Sequence, residues 1–207
     1  MIYATSARFY DLCCRIGVED GKSQDIFNSL VSLYSQDYRT YHNLSHIDRM
    51  LSWLDKSGGG SDAIELAIWF HDAIYEPLAS DNEEESAQYF TAHIGSLIDD
   101  NLVTDVTRLI LATDPRQARS GAADEDLIID IDLSILGSPP EDYDTYRTAV
   151  RNEYSSVSDS DFRVGRISVL QNFLSEQIYA TQLFGQLEKQ ARDNIQAELV
   201  SLELTQS

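Results

Sequence analysis

The chain has 207 residues, 43% of them hydrophobic and 24% charged, with a formal net charge of -20. That length suits one ordinary domain with a sizeable core, and the composition is that of a soluble globular protein. So acidic a balance disfavours nucleic acid polymers and anionic membranes as partners, because both require a positive field. No apolar run approaches membrane-spanning length, and the N-terminus lacks a basic stretch followed by an apolar one. Cys13 and Cys14 are the only cysteines and are adjacent, so an ordinary intrachain disulfide is disfavoured. The expectation is a cytoplasmic protein with reduced thiols; its oligomeric state is left open.

Only four prolines and apolar residues recurring at three and four predict an all-α fold. The expected form is a single compact multi-helix domain over residues 1–207, without internal repeats. A first helix is expected over residues 3–16, with Phe9, Leu12 and Cys13 on one side. Ser23 is a candidate cap for a second, whose stripe is Ile26, Phe27, Leu30, Leu33 and Tyr34. Residues 37–46 are aromatic, polar and short of helix formers. Asn43 or Ser45 is then a candidate cap for a helix through Ile47, Met50, Leu51 and Leu54, ended by Ser57-Gly58-Gly59-Gly60.

Ser61 is expected to cap a central helix that carries His71 and Asp72 and is stopped by Pro77. Ser80 and Glu83 fit a capping box, and Glu83-Glu84-Glu85 then suits the positive end of the next helix. Another helix is expected over residues 104–113, followed by a loop over 114–123. Asp124 is a candidate cap for the next, which is expected to end at a left-handed Gly137 before Pro139-Pro140. The remaining stripes are Val164, Ile167, Leu170 and Leu174, then Leu183, Leu187 and Ala191.

The chemistry centres on Ala67-Ile68-Trp69-Phe70-His71-Asp72-Ala73-Ile74-Tyr75, an apolar run with a His-Asp pair in its middle. An imidazole and a carboxylate on such a surface need an ion-pair partner, a hydrogen-bond network or a metal. Asp130 and Asp132 pose a similar question. Two positions on a helix are about 200° apart, and the helical neighbours of Asp132 are Ile128, Ile129, Ile135 and Leu136. Asp132 is therefore the acid expected to need a buried partner, with Asp130 free to face water. His42-x-x-x-His46 offers two-ligand spacing if it lies on one continuous helix, although a cap between them would separate the rings. His93, without an acid or histidine at helical spacing, reads as structural. Two imidazoles and two carboxylates suit one borderline divalent ion, Mn, Fe, Co, Ni or Zn, and suit Mg less well.

The order His46, then His71-Asp72, then Asp132 resembles the HD superfamily of metal-dependent phosphohydrolases. More closely, Tyr41-His42-Asn43-Leu44-Ser45-His46-Ile47, Trp69-Phe70-His71-Asp72-Ala73-Ile74-Tyr75, Asp81-Asn82-Glu83 and Asp130-Ile131-Asp132-Leu133-Ser134-Ile135-Leu136-Gly137 resemble a bacterial subgroup of predicted HD hydrolases. The likeness runs over nearly the whole chain, including Gly165-Arg166, Phe173-Leu174 and Ile178-Tyr179.

The resemblance implies metal ligation by His46, His71, Asp72 and Asp132, with His42 either supporting a ligand from behind or facing substrate. It implies hydrolysis of a small phosphate ester, a nucleotide among the candidates, by a metal-activated water. The sequence does not fix the general acid: Glu76, Asp81 and Glu83 lie just beyond the doublet, each a candidate acid or equally a cap or solvated side chain. Arg39, Arg116 and Arg166 are candidates to neutralise phosphate or else surface salt-bridge residues. The chain departs from two-metal relatives at Asn82-Glu83 and at Thr113-Asp114-Pro115-Arg116, where further histidines would be expected. One metal is therefore expected. The alternative is a catalytically silent module that binds metal or nucleotide as a sensor or interaction domain.

Overall fold

The computed structural model describes residues 2–204, with side chains from Ser6 onward. All regular structure among them is helical, as the spacing predicts. The helices are α1 (Ile2–Arg15), α2 (Asp20–Tyr34), α3 (Leu44–Lys56), α4 (Asp62–Phe70), α5 (Asn82–Ile94) and α6 (Asp100–Ala112). They continue with α7 (Ala123–Asp132), α8 (Pro140–Glu153), α9 (Asp159–Ser175), α10 (Gln182–Gly185) and α11 (Glu188–Leu204). Tighter 3-10 turns occupy Gly95–Leu97 and Leu133–Gly137. Among the described residues no helix is long and apolar enough to cross a membrane. Packing divides the chain into two compact units, Met1–Ile128 and Ile129–Ser207.

The first unit is built on α4. Ser61 caps it as expected, its hydroxyl accepting from the Ile64 amide at 3.3 Å. Every residue from Ala63 to Phe70 is buried, as an all-round apolar helix must be, and α1, α3, α5 and α6 pack against it. Trp69 meets Phe9 edge-on at 5.1 Å and Phe27 at 6.1 Å, while Phe70 meets Phe90 at 5.2 Å. Full burial of each large apolar side chain contributes roughly 1.5–3 kcal/mol. Glu65, the one charged residue in this stretch, is held by Arg8 at 2.7 Å and Arg15 at 3.0 Å.

The central helix stops at Phe70, well short of Pro77. His71 is its C-cap and Asp72 lies in the turn beyond. Tertiary partners replace the helical ladder there. The Tyr34 hydroxyl donates to the Trp69 carbonyl at 3.0 Å, and Arg39 takes the carbonyls of Asp72 and Ala73 at 2.6 and 2.9 Å. The Ser86 hydroxyl serves both main-chain groups of Ile74, at 3.0 and 3.1 Å.

Three expected caps also differ. α2 starts at Asp20, so Ser23 lies inside it and donates to the Asp20 carbonyl at 2.8 Å. α5 has Asp81 at its N-cap and no side-chain capping bond. The Asn82 amide instead brackets the main chain of Glu76, accepting at 2.9 Å and donating at 3.0 Å. Asp124 stands within the first turn of α7 and pairs with Arg108.

In the second unit the Leu133–Gly137 turn packs with α8 and α11, and α9 packs with α11. Gly137 does not have positive φ, unlike Gly17, Gly58, Gly59 and Gly121. Close approach explains the glycine instead, since a Cβ there would stand 2.6 Å from Leu187 Cβ and 3.0 Å from the Tyr179 hydroxyl. The expected α9 stripe is only partly a core face. Leu170 is buried, Val164 is 68% exposed, and the burial near it belongs to Arg166.

Candidate metal centre

Asn43 fixes where the site begins. Its side-chain oxygen accepts from the Ser45 amide at 2.9 Å and caps α3. His46 therefore sits in the first turn of α3, fully inside, while His42 lies ahead of the cap. The two rings are 5.9 Å apart at 68° and do not share a helix face. His42 stacks instead on Tyr75, with centroids 4.2 Å apart.

The helix end at Phe70 brings the second part of the doublet inward. His46 Nε2 and His71 Nε2 are 3.2 Å apart, and Asp72 Oδ2 lies 3.1 Å from His71 Nε2 and 3.6 Å from His46 Nε2. His71 Nδ1 is 3.0 Å from the Ile68 carbonyl oxygen. A carbonyl only accepts, so Nδ1 carries a proton and Nε2 faces the cluster, where it either shares a proton with Asp72 or gives its lone pair to a cation. Two imidazole nitrogens and a carboxylate oxygen converging in a buried space require a shared proton or a cation between them.

The electrostatics agree. Burial pushes the Asp72 carboxyl up, but the neighbouring His71, His42 and His46, with a hydrogen bond from His71, outweigh it and hold the group well below the usual carboxylate range. In the first unit, His46 and His71 each offer a ring nitrogen that could hold a metal ion. The nitrogen-rich, carboxylate-containing donor set fits a borderline divalent ion.

The two late acids reverse the expected burial. Asp130 is fully buried and accepts from the Ala180 and Thr181 amides at 3.1 and 2.7 Å. Asp132 is only half-buried. The apolar neighbours of Asp132 along the helix are a local signal, whereas the amides that hold Asp130 come from about fifty positions later in the chain.

Of the three candidate acids, Glu76 and Asp81 are exposed, and the Glu76 carboxylate accepts from the Tyr38 hydroxyl at 3.4 Å. Glu83 is half-buried. Burial raises its pKa, its own main-chain bond lowers it, Asp114 and Asp72 raise it further, and Arg116 opposes them, with a net rise.

The three arginines read as phosphate contacts are already engaged. Arg116 grips Asp114 through Nε at 2.8 Å and Nη2 at 2.9 Å while remaining largely exposed. In the second unit, Arg166 is buried against Glu198 at 2.9 and 3.1 Å and bonds the Tyr146 hydroxyl at 3.2 Å. That guanidinium is a structural partner of α11. Arg39 is 4% exposed and binds main-chain carbonyls.

No known family, curated protein or solved structure matches this chain. Sequence reasoning did not identify the Arg39 clamp or the Ser86 bridge. Ser86, a small polar residue beside Ala87 on the inner side of α5, was the one available hint.

Proposed function

We propose that the chain is a metal-dependent phosphohydrolase cleaving a small phosphate ester, with nucleotides among its candidate substrates. His46, His71, Asp72 and Asp132 would hold one divalent ion, Mn, Fe, Co, Ni or Zn in preference to Mg. The observation that carries this reading is the convergence of His46 Nε2, His71 Nε2 and Asp72 Oδ2 within 3.1–3.6 Å of one another. The ordered motifs that resemble the HD superfamily supply the choice of reaction.

When bound, such an ion supplies Lewis-acid polarisation of a phosphoryl oxygen and lowers the pKa of a coordinated water. The residues around it divide the remaining work. The Ile68 carbonyl holds His71 in the tautomer that presents Nε2. Asp72 stays ionised and sets the negative charge of the centre. Glu83, half-buried and with its pKa raised by burial, is the candidate to protonate the leaving-group oxygen. His42, stacked on Tyr75, is the candidate group to face substrate. Arg116, though engaged with Asp114, is exposed enough to exchange that partner for a phosphate oxygen.

The test is metal-dependent phosphate release from a panel of phosphate monoesters, with Asp72→Ala as control. Turnover with one of the named ions, lost in a folded Asp72→Ala variant, supports the reading; full activity in that variant contradicts it. Stoichiometric metal without turnover of any ester favours a silent binding module.

A further inference from the structure

Four of the five N–H groups of Arg39 are spent on the chain itself. Nε donates to Gln36 Oε1 at 3.0 Å. Nη1 donates to the carbonyls of Asp72 at 2.6 Å and His42 at 3.3 Å. Nη2 donates to the Ala73 carbonyl at 2.9 Å. The guanidinium carbon also lies 5.3 Å from the Tyr34 ring centroid and 5.5 Å from that of Tyr75.

These acceptors belong to two separate parts of the centre. His42 lies in the segment that leads into α3 and His46, whereas Asp72 and Ala73 form the turn beyond α4. A helix end leaves carbonyls without ladder partners. The amides of His71 and Ala73 still bond the α4 carbonyls of Ala67 and Phe70 at 2.8 and 3.0 Å, but the carbonyls of Asp72 and Ala73 are taken by Arg39. We propose that Arg39 is a positioning residue. By joining the carbonyls of Asp72, Ala73 and His42, it fixes the Asp72 carboxylate and the two imidazoles in a geometry competent for a metal. The proposal rests on the metal reading of this same site.

The chemistry requires arginine in particular. A planar fork reaches several carbonyls at fixed angles and lies against aromatic rings, whereas a lysine ammonium supplies a compact charge with three rotatable donors. Groups that orient metal ligands without touching the ion typically govern affinity by roughly 10- to 100-fold.

The experiment titrates Co²⁺ into metal-free wild-type protein, Arg39→Lys and Arg8→Lys, recording both affinity and the visible d–d spectrum. Arg8→Lys is the control because Arg8 also tethers α4, through Glu65, but at a distance from the doublet. The expected result is wild-type binding in Arg8→Lys. In Arg39→Lys, affinity should be roughly 10- to 100-fold weaker with altered d–d bands. Wild-type affinity and bands in a folded Arg39→Lys would overturn the proposal while leaving the metal reading intact. Failure of the wild-type protein to take up Co²⁺ would overturn both. If Arg39→Lys does not fold, Gln36→Ala removes the Nε acceptor and should perturb the bands in the same direction; unchanged bands there would also count against the clamp.

Discussion

His71 Nδ1 lies 3.0 Å from the carbonyl oxygen of Ile68, three residues earlier. This contact determines which face of the ring is available for chemistry. It places the lone pair of the neutral imidazole at Nε2, beside Asp72 and His46. A nitrogen NMR spectrum of metal-free protein at alkaline pH should show His71 as the Nδ1–H tautomer. Adding Zn²⁺ should then shift its Nε2 resonance. An Nε2–H tautomer in the metal-free state would contradict the assignment.

Glu83 should set a pH dependence of both activity and stability. A carboxyl whose pKa is raised by folding binds its proton more tightly in the folded chain. Stability therefore rises as pH falls from that raised value toward the ordinary carboxylate value, and ionised Glu83 costs stability above it. Glu83→Gln should raise the thermal midpoint at neutral pH and remove this slope. Turnover should fall roughly 100- to 10,000-fold if Glu83 is the general acid. A lower midpoint at neutral pH would reverse the electrostatic account.

The Arg166–Glu198 pair makes a different kind of prediction. Both side chains are almost fully buried, and Glu198 also accepts from the Tyr143 hydroxyl at 2.6 Å. Arg166→Met leaves a buried carboxylate without its cation and should cost about 3–5 kcal/mol in denaturant unfolding. The Arg166→Met/Glu198→Leu double variant should recover much of that loss. An isolated Arg166→Met change within experimental error would instead indicate that water reaches Glu198.

Gly137 tests close packing. An alanine Cβ there would stand 2.6 Å from Leu187 Cβ and 3.1 Å from the Leu187 carbonyl oxygen. Because backbone is among the obstacles, Gly137→Ala should destabilise by roughly 1–3 kcal/mol. A stability gain would show that the segment at Leu187, just ahead of α11, can move aside.

The sequence made helix type and much of the site legible because both have local signatures. Asn43 announces its cap one residue ahead of α3, and Ser61 does the same ahead of α4. The His71-Asp72 doublet announces itself by standing in an apolar run. What escaped the reading depends on partners far away in sequence. The end of α4 looked helical as far as Pro77, yet Arg39, Tyr34 and Ser86 take its main-chain groups. Asp130 looked solvated until Ala180 and Thr181 supplied amides. Arg166 looked available to phosphate because Glu198 lies thirty-two positions away.

Metal content of untagged protein, measured by elemental analysis beside Asp72→Ala and Asp132→Ala, tests the central claim most directly. The account predicts close to one equivalent of Mn, Fe, Co, Ni or Zn, lost in both variants. No metal in the wild-type protein, and no thermal stabilisation on adding any of these ions, would contradict it and leave the His-Asp cluster as a hydrogen-bonded element of the fold.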